Sequence, residues 1–126
     1  MGMTQQIGVW IDHRKAVIVD VGGGEPRTIA SDVDAHTRFV VGGGEKRHEA
    51  RSEGELERYL DVVLVGIGQP QELFLFGPGE AKQQLRARIA ETGGPTTLTM
   101  ALESEDTLTE PQIVARVLEH FQGHAT

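Results

Sequence analysis

ELFLFGPGEAKQQLRARIAE (residues 72–91) changes its periodicity half-way. Leu73-Phe74-Leu75-Phe76 is an unbroken apolar run, the pattern of a strand covered on both faces. Gly77-Pro78-Gly79 then forces a tight turn, and Glu80 falls where the start of a helix favours negative charge. Ala81, Leu85 and Ile89 recur every fourth residue and predict an inward stripe, with Lys82, Arg86 and Arg88 to the side or outside. Gly93-Gly94 closes the helix. The stretch is one strand–loop–helix unit of an α/β domain.

Upstream, QIGVWIDHRKAVIVDV (residues 6–21) sets two Val- and Ile-rich runs around Asp12-His13-Arg14-Lys15, a polar turn of hairpin length. Gly22-Gly23-Gly24-Glu25-Pro26 breaks the chain, and Arg27–Ala30 is expected to continue the meander as a third strand. Residues 31–51 show little regular pattern beyond a brief strand at Phe39-Val40-Val41, and a long mobile loop is expected there. VGGGE occurs at Val21–Glu25 and again at Val41–Glu45, but nothing around the copies repeats, which argues against a duplication. Ser52 and Glu55 spell a capping box, in which each side chain satisfies the other's backbone N–H. A helix is therefore expected to open at Ser52. Its inward face is Leu56, Tyr59, Leu60, Val63, Leu64 and Ile67, and Gly66, Gly68 and Pro70 end it.

Downstream, TTLTMAL (residues 96–102) alternates at Leu98, Met100 and Leu102 and predicts a fifth strand. Thr109 and Gln112 form a second capping box, Leu108 can staple to Ile113, and Pro111 lies in the first turn, where its missing N–H costs little. Ile113, Val114, Val117, Leu118 and Phe121 make the buried stripe, and residues 122–126 are expected to fray. Right-handed crossovers make the last two strands parallel to the first. The predicted fold is α/β: a ribonuclease-H-like βββαβαβα chain whose mixed five-stranded sheet has order 3-2-1-4-5, with helices on its faces. Its 126 residues suit one domain, residues 1–126.

The charge of −7 argues against a protein that coats nucleic acid, and no contact with DNA is expected. The distribution is uneven, however. Arg38, Lys46, Arg47 and Arg51 stand between residues 38 and 51 with His48 among them, against Glu45 and Glu49. From Pro95 onward Glu103, Glu105, Asp106, Glu110 and Glu119 face a lone base, Arg116. Cysteine is absent, which excludes disulfide, thiolate and Cys-zinc chemistry. No apolar run reaches the ~20 residues of a membrane span. No basic-then-apolar leader opens the sequence, so a cytoplasmic protein without membrane contact is expected. Met1-Gly2 lacks the Ser or Thr at position 6 that a myristoylation signal wants.

Several patterns bear on chemistry. Two-metal ribonuclease H catalysis needs three or four converging carboxylates. Asp12 is a possible first one, but no acid stands inside the fourth strand and Glu103 has no evident partners. Asp12 fits better as a turn residue bonding nearby backbone N–H groups. His13 beside Asp12 could be a general base, but no nucleophile adjoins it. Of His36, His48, His120 and His124, only His120 and His124 have H-x-x-x-H spacing with a nearby acid, and they stand at the end expected to fray. GPGEAK lacks the full phosphate-loop pattern, and no Ser or Thr follows Lys82 to hold magnesium. No catalytic residue, metal or cofactor is assigned. GGGEKRHEAR is the candidate binding segment: the glycines give reach, and Lys46, Arg47, His48 and Arg51 suit a polyanion such as RNA phosphate. Lys82 and Arg86 are possible support. No aromatic is interleaved for base stacking.

IGVWIDHRKAVIVDV, LFLFGPGEAKQQLRARI, TTLTMAL and TEPQIVARVLEHF resemble small bacterial proteins labelled as translational machinery components, and the middle domain of archaeal and eukaryotic peptide release factors and of pelota. The resemblance implies the ribonuclease-H-like sheet. It also implies a partner in translation: ribosome, tRNA or a ribosome-associated factor. In release factors the loop before the first helix carries Gly-Gly-Gln, which helps water attack the peptidyl-tRNA ester. Gly43-Gly44-Glu45 stands there in this chain. Glu45 has no N–H to donate and would oppose a developing oxyanion, so the resemblance runs closer to pelota, which does not release peptide. Two alternatives stay open: a small ester or phosphoester hydrolase using the GGGE loop or Asp12-His13, and a protein-interaction module or homo-oligomer with no RNA role.

Overall fold

The computed structural model describes residues 5–31, 45–92 and 99–124. Its elements are β1 (Gln6–Ile11), β2 (Lys15–Asp20), β3 (Arg27–Ala30), α1 (Glu45–Ile67), β4 (Glu72–Gly77), α2 (Ala81–Thr92), β5 (Thr99–Ser104) and α3 (Glu110–His124). The sheet order is β3-β2-β1-β4-β5. The β1–β2 and β2–β3 pairs are antiparallel; β1–β4 and β4–β5 are parallel. This is the order the sequence predicts.

Alternation along the strands sorts side chains onto two faces. Ile7, Val9, Ile11, Ala16, Ile18, Leu73 and Leu75 pack with α1 (Tyr59, Leu60, Val63, Ile67) and α2 (Ala81, Leu85, Ile89). Trp10, Val17, Val19, Phe74 and Phe76 pack with Ile113, Val117 and Phe121 of α3. The four-residue apolar run of β4 is thus explained: Leu73 and Leu75 serve one face, Phe74 and Phe76 the other, and all four are buried. Phe74 and Phe76 stack with ring centroids 4.6 Å apart. Gly8 lets α3 come close, since a Cβ there would lie 2.3 Å from Val117 Cγ2.

Gly77 ends β4 with φ +141°, and a Cβ on it would meet the Ile11 carbonyl oxygen at 2.3 Å. Glu80 then caps α2, its carbonyl accepting the N–H groups of Gln83 and Gln84 at 3.0 Å. The box at the start of α3 forms as expected: Thr109 N–H donates to Gln112 Oε1 at 2.9 Å, and Gln112 N–H to Thr109 Oγ1 at 3.3 Å.

Four expectations need correction. First, α1 opens at Glu45 and not at Ser52. Glu45–Arg51 holds neither Gly nor Pro and is rich in good helix formers, so nothing in it stops a helix. Second, the assignment of residues 31–51 to a loop therefore fails for 45–51; 32–44, with the strand expected at Phe39–Val41, lie outside the described residues. Third, the fifth strand reaches Ser104, because Phe76 and Gly77 of β4 pair with Glu103 and Ser104; Thr96–Leu98 lie outside the described residues. Fourth, α3 continues through His124, past the point where fraying is expected.

Candidate functional site

The parallel strands β1, β4 and β5 end on one edge of the sheet, and in open α/β sheets this is the edge where loops gather and ligands bind. Here it carries the Asp12–Lys15 turn, the Gly77-Pro78-Gly79 turn, the start of α2 and the segment after β5. Asp12 is committed to its turn: Oδ1 accepts the N–H groups of Arg14 and Lys15, both at 2.8 Å. His13 Nε2 lies 2.6 Å from Gln84 Oε1, joining the hairpin to α2. The Asp12 and His13 side chains thus hold separate partners and not each other. Tyr59 of α1 donates its hydroxyl to the Asp12 carbonyl at 3.0 Å. Burial, then the Asp12 charge, push the Tyr59 hydroxyl far above the ordinary tyrosine range, so it stays a neutral donor. On the opposite face Trp10 Nε1–H donates to the Asp106 carbonyl at 3.2 Å.

Tyr59 fixes where α1 stands relative to this edge. It sits at the end of β1, and the helix continues back to Glu45. At about 1.5 Å per residue Glu45 lies roughly 21 Å further along the axis. Glu45, Lys46, Arg47, His48 and Arg51 are therefore carried on turns of α1 that run on past the level of the strand ends. Gly43 and Gly44 lie outside the described residues.

Lys82 and Arg86 do not act as a pair. The apolar stripe predicts Lys82 at the side of α2 or outside, yet it is 4% exposed, and its Nζ donates to the Gly79 carbonyl at 2.6 Å. Its position in the first turn lets the long stem fold back over the Gly-Pro-Gly bend, with the ammonium on a backbone acceptor. Arg86, one turn on, is exposed. Beside the same bend Pro78, Gly79, Ser104, Glu105 and Asp106 line a cavity of about 340 Å³. Its side-chain charge is negative, which ill suits a phosphate at the α2 N-terminus.

At the far end of α3, His120 stacks on Phe74 with centroids 3.8 Å apart and planes 6° from parallel, and its Nδ1 is 3.9 Å from Glu103 Oε2. Glu103 also accepts from Arg116 at 2.6 Å. Its position at the end of β5 hides both partners from a reading of the sequence alone. The side chain of His124 and the whole of His36 lie outside the described residues. Among the described residues, no group of three His, Asp or Glu side chains is placed to hold a metal ion. None of the helices there is long and apolar enough to cross a membrane.

Neither family models nor curated proteins give a match to the sequence.

Proposed function

We propose that this chain is a translation-associated binding module, related in architecture to the release-factor and pelota middle domain. It contacts ribosomal RNA, tRNA or a ribosome-associated factor through the basic first turns of α1. The observation that carries the reading is the course of α1. The helix begins at Glu45, directly after Gly43-Gly44, and carries Lys46, Arg47, His48 and Arg51 beyond the strand ends. Charge on a projecting helix can approach a phosphate backbone that the acidic body would repel. The sheet order β3-β2-β1-β4-β5 agrees with what the resemblance implies. Glu45 in the place of glutamine fits binding without peptide release.

Sedimentation of cell extracts through sucrose gradients tests the proposal. The protein is expected to co-migrate with ribosomal particles at low salt, and a Lys46→Glu, Arg47→Glu, Arg51→Glu variant is expected to stay at the top with its fold intact. Wild-type protein confined to the top at every salt concentration, with and without translational stress, sinks the idea.

A further inference from the structure

β5 is an edge strand that the described helices leave largely uncovered. The helices pack mainly on β1, β2, β3 and β4. Met100, Ala101 and Leu102 are consequently only half-buried, while Leu73 to Phe76 of the neighbouring strand are fully buried. Among the described residues the outer side of its backbone is open as well. Thr99 N–H donates to the Gln71 carbonyl at 3.0 Å, and Glu105 N–H to the Gly77 carbonyl at 3.1 Å. In a parallel pair, residues facing the neighbour recur at every second position. Thr99, Ala101 and Glu103 therefore turn their N–H and C=O groups toward β4, and Met100, Leu102 and Ser104 turn theirs away from the sheet.

Around this edge the described acids outnumber the bases. Glu103 and Glu105 share Arg116, at 2.6 and 3.4 Å. Asp106 follows them, exposed, and Glu119 of α3 lines a shallow groove with Glu105 and Arg116. At the start of β5, Glu72, Thr99 and His120 line a cavity of about 310 Å³. At its end Ser104, Glu105 and Asp106 line the cavity beside Gly79. Carboxylates thus border both ends of an open strand roughly 17 Å long, at about 3.3 Å per residue.

We infer that the β5 edge binds an extended, lysine- or arginine-rich peptide segment of a partner protein, which adds to the sheet as a sixth strand. Backbone pairing with Met100, Leu102 and Ser104 supplies the affinity, and the acid-lined cavities at the two ends select basic side chains. Charge complementarity decides the occupant. A second copy paired β5 to β5 would present the strand TMALES, which holds no lysine or arginine to answer the acids at the two ends. The site is separate from α1, so this inference stands or falls independently of the RNA-binding proposal.

The test is an NMR titration of ¹⁵N-labelled protein with an acetylated heptapeptide alternating lysine and valine, and with its glutamate counterpart. The lysine peptide is expected to shift the amide signals of Met100, Leu102 and Ser104 and slow their hydrogen exchange, leaving Thr28 and Ala30 on the β3 edge unchanged. Ser104→Pro removes an outward N–H at an edge position where proline is tolerated. It should weaken binding about fivefold, the worth of roughly one hydrogen bond, with an unchanged circular dichroism spectrum. Asp106→Asn should weaken binding at low salt only. Equal binding of the glutamate peptide overturns the inference, as do shifts confined to β3 or α1, or no shifts at millimolar peptide. Concentration-dependent protection of the three amides without peptide would make a second copy the occupant and overturn it too.

Discussion

β4 and β5 are hydrogen-bonded neighbours of equal length, yet they solve opposite problems. Every residue of β4 from Leu73 to Gly77 is buried, and its two faces feed two separate clusters. β5 has no fully buried residue. Cover is one part of the contrast, since Met100, Ala101 and Leu102 are apolar and still only half-buried. A strand between two neighbours and two helix layers has its side chains and its backbone conformation dictated by contact. A strand at the margin keeps half-used side chains and, among the described residues, an unused ladder, and there polar and charged choices appear. The same division runs along α1, whose C-terminal half is core and whose first turns carry the basic run.

Glycine-to-alanine substitutions can break this comparison, because one added methyl reports how far the surroundings constrain each place. Gly77→Ala should have the largest effect. Its φ of +141° is unfavourable for any L side chain, and the clashing atom is the Ile11 carbonyl oxygen, a backbone atom that cannot rotate away. Destabilisation of about 3 kcal/mol or more is expected from strain and overpacking together. Urea unfolding measures it. A loss under about 1 kcal/mol, the usual effect of a point substitution, would mean that the centre of the sheet yields as readily as its edge.

Gly8→Ala comes next. Here the obstacle is a side chain, Val117, whose Cγ2 and Cγ1 stand only 2.3 and 2.6 Å from where the added methyl would sit. A cost of about 1–3 kcal/mol is expected. Val117→Ala makes room, so the double variant should be more stable than the sum of the two single losses predicts. Strict additivity would refute the close β1–α3 approach.

These two glycines also show how far the sequence can be read. Periodicity and crossover handedness are enough for the sheet order, because β1, β2 and β4 are nearly continuous apolar runs separated by strong turn signals. The start of α1 escapes a sequence reading because S-x-x-E looks the same inside a helix as at its beginning. The burial of Lys82 escapes it because its partner is a backbone carbonyl, and a helical wheel displays only side chains. Partners distant in sequence leave no pattern at all: Trp10 on the Asp106 carbonyl, Tyr59 on the Asp12 carbonyl, and His120 on Phe74. Of the residues singled out for binding, the sequence supplies charge and type, and only the three-dimensional arrangement separates Lys82, folded into its turn, from Arg86 at the surface.

A third glycine should reverse the sign. Gly54 lies inside α1, exposed, with nothing within 4 Å of an added Cβ. Gly54→Ala removes backbone freedom from the unfolded chain at no steric cost and should stabilise by about 0.5–1 kcal/mol. The gain should be accompanied by a deeper helical circular dichroism signal. A destabilised variant would argue that α1 is not continuous through this position.

The smallest effect belongs to the ion pair that ties α1 to α2. Arg88 grips Asp61 with both arms, Nε to Oδ1 at 2.7 Å and Nη2 to Oδ2 at 3.0 Å. The pair is open to water, with Asp61 46% exposed, so screening and side-chain entropy leave it little net worth. Its signature is nonetheless distinct. The hydrogen bonds from Arg88, more than its charge at a distance, hold the Asp61 carboxyl below its ordinary value of 3.8. The folded state therefore binds this proton less readily than the unfolded state. The stabilisation is present above that ordinary value and is lost as pH falls through the lower, folded one. Asp61→Asn should consequently lower the melting temperature slightly at neutral pH, with the difference from wild type closing as the pH drops below about 3.8. The closing gap should be insensitive to Glu91→Gln, since Glu91 meets Arg88 only through Nη1 at 3.4 Å. A gap that is constant with pH would assign the loss to altered packing between the two helices and not to the ion pair.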